Sequence, residues 1–171
     1  MVAPRLKTHD SFDLYDQDFY TWTQDQADRL RTLAPQPGLD LERLAEEVAE
    51  LGRSELGKTY NHLVHTCAHL LEAPSATSDE PQRHWRGEVV NQQRQARTAF
   101  TPGMRQKIDV AALWADAIRL ANATLRDHGD AEIAQPPACA FTLEDLLAPD
   151  FDPDAALIRV KGTRADARDG G

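Results

Sequence analysis

Apolar residues recur along this chain at three- and four-residue steps from Asp16 to about Leu147, with only short interruptions. The first run places Phe19, Trp22, Thr23, Gln26, Ala27 and Leu30 at helical spacing. Asp16 and Asp18 belong in its first turn, where a carboxylate meets the positive end of the helix dipole. Arg29 and Arg31 suit its other end, and Pro35, Pro37 and Gly38 stop it. Asp40 then caps a second helix expected to reach about Leu71, with Leu39 and Leu44 at the positions of a hydrophobic staple. Leu41, Leu44, Ala45, Val48 and Leu51 are its expected apolar face, and Leu56, Tyr60, Leu63, Cys67 and Leu70 resume it. Gly52 and Gly57 inside this helix each cost roughly 1 kcal/mol against Ala, which predicts a bend or a close neighbouring helix.

A third helix is expected from about Pro81 to Phe100, carrying Trp85, Val89 and Ala96 inward. Thr101-Pro102 opens a new segment. Asp109 caps the next, whose pattern runs from Val110 through Leu125 to Gly129, a natural residue just past a helix end. Thr142 and Asp145 have the spacing of a capping box for a short helix to about Leu147. No strand alternation of useful length competes with these signals. The expected fold is all-α, an up-and-down helical bundle of four to six helices with a short C-terminal helix. Residues 1–11 are expected to be a flexible N-terminus, 12–152 a single helical domain, and 153–171, ending RADARDGG, a flexible tail.

Charge changes the picture. The 171 residues carry 19 Lys and Arg against 28 Asp and Glu, a net charge of −9. That balance argues against a general nucleic-acid or anionic-membrane binder, which needs a basic field. Cys67 and Cys139 match no zinc or redox spacing and read as reduced thiols. The first thirteen residues lack the apolar stretch of a signal peptide, and no window is long enough to cross a bilayer. A cytoplasmic protein is expected.

Three groups of side chains are candidates for chemistry. His62, His65 and His69 fall within about 60° of one another on a straight helix, and Glu55 lies one heptad earlier. Neutral imidazoles so spaced can bind a divalent transition metal. Thr66 stands where a HExxH protease has its glutamate, so that enzyme class has no support. This histidine stripe is expected to face solvent or a partner. Asp16, Asp18, Glu46, Glu47 and Glu50 form an acidic group that could hold a hard cation or simply be a solvated face. Arg83, Arg86, Arg94 and Arg97 form a basic stripe on the third helix around Val90. Residues 81–107 carry five Arg and one Lys against Glu88, whereas residues 40–55 carry six acids against two Arg. Such a stripe could grip phosphates, or meet the acidic helix within the chain or across a dimer. Tyr15, Phe19 and Trp22 are expected in the core.

Taken together, Tyr15-Asp16-x-Asp18-Phe19-x-x-Trp22, Asp40, Leu44-Ala45-Glu46-Glu47, Leu51-Gly52-Arg53-Ser54-Glu55, His69-Leu70-Leu71, Trp85, Gln93-Arg94 and Phe141-Thr142-Leu143-x-x-Leu146-Leu147-x-Pro149-Asp150-Phe151 carry a resemblance. Over about residues 12–152 the chain resembles the bacterial family called domain of unknown function twenty-nine. The resemblance implies a compact α-helical domain without an assigned activity. The family more often has a basic residue where His62 stands, and Lys-Trp where Glu72-Ala73 stands, which weighs against a site needing all three histidines.

The expected function is a non-catalytic interaction module that self-associates through its charged helix faces, with a homodimer or another protein as partner. One alternative is a metal-assisted enzyme with a histidine and carboxylate site on the second helix. The other is nucleic-acid or nucleotide contact through the arginine stripe. No cofactor is expected, apart from the divalent metal that the first alternative requires.

Overall fold

The computed structural model describes residues 10–75, 79–133 and 137–169, with side chains over 13–74, 84–133 and 137–163. The fold is all-α, of the helical-bundle class, with no strand among the described residues. Its helices are α1 (Asp10–Gln17), α2 (Phe19–Thr32), α3 (Leu41–Glu72), α4 (Asp79–Ala99), α5 (Val110–His128), α6 (Leu143–Leu147) and α7 (Pro153–Asp169). Short 3₁₀ turns occupy Ala73–Ser75 and Pro102–Lys107. Among the described residues no helix is long and apolar enough to cross a membrane. The expected flexible N-terminus lies outside the described residues as far as position 9; helix begins at Asp10. Contacts divide the chain into two compact units: Met1–Gly57 with Phe100–Lys107, and Lys58–Ala99 with Ile108–Gly171.

In the first unit the helix expected to start near Asp16 is broken in two. Asp18, at φ −148° and ψ 75°, leaves helical geometry and caps α2. Its carboxylate accepts from the Thr21 N–H at 3.1 Å, the Thr21 hydroxyl at 2.8 Å and the Gly103 N–H at 2.7 Å. Three donors for one carboxylate outweigh the single turn of helix that the break gives up. Burial would raise the Asp18 pKa, but the neighbouring Thr101 hydroxyl and the hydrogen bonds from Thr21 and Gly103 together hold it below the ordinary carboxylate value. Gly103 has no room for a Cβ, which would collide with Thr21 Oγ1 and crowd the Asp18 carboxylate.

The buried line of α2 is Tyr20, Thr23 and Ala27. The expected core aromatics pack on one another instead, with ring centroids 4.7 Å apart for Tyr15–Trp22 and 5.7 Å for Phe19–Trp22. Tyr15 remains 49% exposed. The inward face of the first part of α3 also differs from expectation. Ala45 and Ala49 are buried with Ala27, and Leu30 packs on them, while Leu44 and Leu51 stay 43% and 54% exposed. Small side chains let two helix backbones approach closely, so the large ones are left on the outside. Gly52 completes that line, since a Cβ there would overlap Thr23 Oγ1. The Gln24 amide crosses the seam to the Ala49 carbonyl at 3.2 Å. Asp40 caps α3 as expected, accepting from the Arg43 N–H at 3.1 Å. The staple leucines Leu39 and Leu44 are both exposed.

In the second unit the periodicity holds. Leu63, Cys67 and Leu70 of α3, Trp85, Val89 and Ala96 of α4, and Leu113, Ala117 and Leu125 of α5 are all buried. Asp109 caps α5 and Gly129 ends it at φ 74°, with the Asp130 N–H closing back to the Leu125 carbonyl at 2.9 Å. Thr142 and Asp145 make the reciprocal capping box of α6. Gln93, nearly buried, donates to the Leu146 and Ala148 carbonyls at 3.1 and 3.0 Å and so satisfies the other end of α6. Tyr60 donates to Asp116 at 2.7 Å; burial first, and that carboxylate, push its phenol up to about 12.

The expected tail from residue 153 is helix α7. Asp152 accepts from the Asp154 N–H at 2.9 Å, and Pro153 occupies the first helical position where its missing N–H costs nothing. Ala156 and Val160 are buried one turn apart, and Arg86 grips Asp154 through two bonds of 2.9 and 2.5 Å. A charged segment with two inward apolar positions at helical spacing is enough to dock.

Candidate functional site

The histidine stripe lies on the part of α3 that belongs to the second unit, and it is half-buried rather than turned to solvent. Its neighbours impose this. Thr59, Thr66 and Leu63 on the same turns are fully buried, so the imidazoles sit at the margin of the core. His62 Nδ1 lies 2.7 Å from Gln92 Oε1, and His69 Nδ1 lies 2.8 Å from Glu72 Oε2. A carboxylate oxygen only accepts, so His69 Nδ1 is the donor to the Glu72 carboxylate. The His65 and His69 rings are 6.1 Å apart. Burial first, then His69 and His62, lowers the His65 pKa below the ordinary imidazole value, while Glu72 pulls it the other way.

Glu72 is the residue sequence reasoning missed here. It is completely buried, and its Oε1 has no hydrogen-bond partner among the described residues. The three-residue step from His69 to Glu72 is the signal that would have found the pair. Chemically, the pair fixes the orientation of the His69 ring. Glu55 is half-buried with an interaction of its own and belongs to the first unit. Among the described residues, no group of three or more His, Cys, Asp or Glu side chains is placed to hold a metal ion.

The acidic residues do not converge either. Asp18 turns inward to its three donors, Glu50 pairs with Arg53 at 2.7 Å, and Asp16, Glu46 and Glu47 stand exposed. In the basic stripe, Arg86 is taken up by Asp154, and Arg94 and Arg97 are exposed. The Arg83 side chain lies outside the described residues. A cavity of about 460 Å³ is lined by His62, Arg94, Gln95, Thr98 and Ala99, joining the histidine and arginine rows. Cys67 and Cys139 are both free; burial pushes the Cys67 thiol far up, which leaves it unreactive.

The profile of the family described as Domain of unknown function DUF29 matches residues 14–152. The chain is similar to a solved structure, an alpha-helical protein of unknown function from Rhodospirillum rubrum ATCC 11170, at 34% identity and a TM-score of 0.78. That match covers 85% of this chain and 96% of the other. No curated protein matches. The capped start of α2, the Gly52 seam, the buried Gln93 and the boxed helix α6 all fall inside the matched span, and the chain belongs to the DUF29 family.

Proposed function

We propose that this chain is a non-catalytic interaction module that associates with itself through oppositely charged helix faces. The observation that carries the reading is the exposure of Leu44 and Leu51 on α3 beside the exposed Glu46, Glu47 and Glu50. Apolar surface rimmed by charge favours a partner that covers it. On α4, Val90 is 47% exposed and stands between Arg86 and Arg94, with Arg97 one turn further on. The acidic strip of one copy laid on the basic strip of another covers Leu44, Leu51 and Val90 and pairs the flanking charges. Like strips would repel.

Such a contact joins unlike surfaces, so it closes as two equivalent contacts or extends head to tail. The two free cysteines support a reducing compartment, and we place the protein in a bacterial cytoplasm. Nucleic-acid contact through the arginine stripe is disfavoured by the net charge of −9.

Light scattering across a concentration series tests the proposal. The expected result is a dimer or larger species that becomes monomeric in the double variant Leu44→Glu, Leu51→Glu, with circular dichroism unchanged. A wild-type protein that stays monomeric at every concentration overturns it, as does a double variant that still associates.

A further inference from the structure

His65 and His69 stand one turn apart on α3, within the second unit, with ring centroids 6.1 Å apart. Both are half-buried. His69 Nδ1 donates to the buried Glu72 carboxylate at 2.8 Å, which leaves Nε2 as the nitrogen that can meet a ligand. Among the described residues His65 contacts the His69 ring and makes no hydrogen bond. We infer that His65 and His69 together bind one divalent transition ion of the zinc class, its remaining coordination positions filled by water.

Three features carry the inference. The first is reach. Histidines four residues apart share one face of a helix, where both imidazoles can turn to one ion. Metal–nitrogen bonds of about 2 Å put the centroids of two such rings about 5 Å apart, so a swing of about 1 Å by His65 joins them. No hydrogen bond of His65 opposes that swing among the described residues. The second is donor type. Imidazole nitrogen suits zinc, nickel and copper, whereas magnesium and calcium require oxygen.

The third is the carboxylate behind His69. A metal-ligating histidine that donates its other N–H to a carboxylate is oriented by it and made more basic. Glu72 stands in that position, fully buried, and its second oxygen has no partner among the described residues. A buried carboxylate with a single donor is poorly compensated, and a dication across the imidazole supplies positive charge to it. Glu72 is therefore a positioning residue, acting through His69. His62 is not a member of the pair, since its Nδ1 lies 2.7 Å from Gln92 Oε1. Nor is any third His, Cys, Asp or Glu side chain placed to join the two among the described residues. Two protein ligands make an exchangeable site, in contrast to the closed structural kind that takes four.

The test is calorimetric titration of the untagged, metal-free full chain with zinc at about pH 7.5, where most imidazole is neutral. Ring-nitrogen NMR of the histidines follows the same samples. The expected result is saturable binding of one zinc ion per chain, moving the ring signals of His65 and His69 and leaving those of His84 and His128 in place. Magnesium should not bind. His65→Gln, which breaks no hydrogen bond, should weaken binding by roughly tenfold or more with circular dichroism unchanged. Glu72→Gln keeps an acceptor for His69 and should weaken binding by roughly tenfold while zinc still moves both rings. A Glu72 that served the fold alone would leave the zinc affinity of the folded variant as it was. His62→Gln and Cys139→Ser should change nothing. Absence of saturation at submillimolar zinc overturns the inference. So does binding that survives His65→Gln intact, or binding that disappears in His62→Gln or Cys139→Ser.

Discussion

Gly52 of α3 faces Thr23 of α2 at a distance that leaves no space for even one added methyl group. Alanine is the better helix former by roughly 1 kcal/mol, yet here it must displace Thr23, whose hydroxyl donates to the Tyr20 carbonyl at 2.7 Å. Gly52→Ala should therefore lower stability by about 1–3 kcal/mol in urea denaturation. Gly57→Ala, with nothing within 4 Å of its Cβ, should raise it by up to about 1 kcal/mol. Equal effects of the two changes would refute the close approach.

Asp18 links stability to pH with a definite sign. Its folded pKa is depressed, so its contribution is fully present above the unfolded carboxylate pKa and is lost as pH falls through the folded value. Wild-type melting temperature should drop across that acidic window, and Asp18→Asn should flatten this part of the profile. At neutral pH the variant should be less stable by about 1.5–3 kcal/mol, since the hydrogen bonds lost are to a charged acceptor. A profile identical to wild type would show that the carboxylate is not the acceptor described.

Glu72 depends on His69. With His69→Leu its buried carboxylate loses the one donor seen for it, and the expected cost is about 3–5 kcal/mol. Adding Glu72→Met to that variant removes the stranded charge and should recover much of the loss. A double-mutant cycle by chemical denaturation measures this, and simple additivity would contradict the pairing.

Helix α7 is part of the folded structure, not an appendage. Val160→Asp puts an unpaired charge at a fully buried position and should cost roughly 3 kcal/mol or more. Ile158→Asp, at a site 70% exposed, should leave the melting temperature within about a degree of wild type. Hydrogen exchange over 153–163 provides a second reading: protected amides are expected there.

Signals that act within one turn were legible in the sequence. Asp40, Asp109, the Thr142–Asp145 box and Gly129 all sit where local hydrogen-bonding rules place them. The apolar stripes of the second unit were legible too, because Leu63, Leu70, Val89 and Leu113 bury large side chains. What escaped depends on partners far along the chain. The cap at Asp18 has a local part in Thr21, but its third donor is Gly103, 85 positions away, which no local pattern announces. The inward face of α3 was misassigned because side-chain size was weighed without the close approach of α2, which only the fold supplies. The histidines were placed at the right spacing, but their partners Gln92 and Glu72 were not seen. Helix α7 was overlooked because its charged end masked the Asp152-Pro153 start.

The alanine seam turns the usual logic of a mutational scan inside out. Along residues 44–52 the bulky aliphatic positions should accept polar replacements and still fold, while the smallest residues should accept almost nothing larger. Selection for a folded chain and selection for a partnered one would then act on opposite sides of a single helix, and either trait could drift while the other was held.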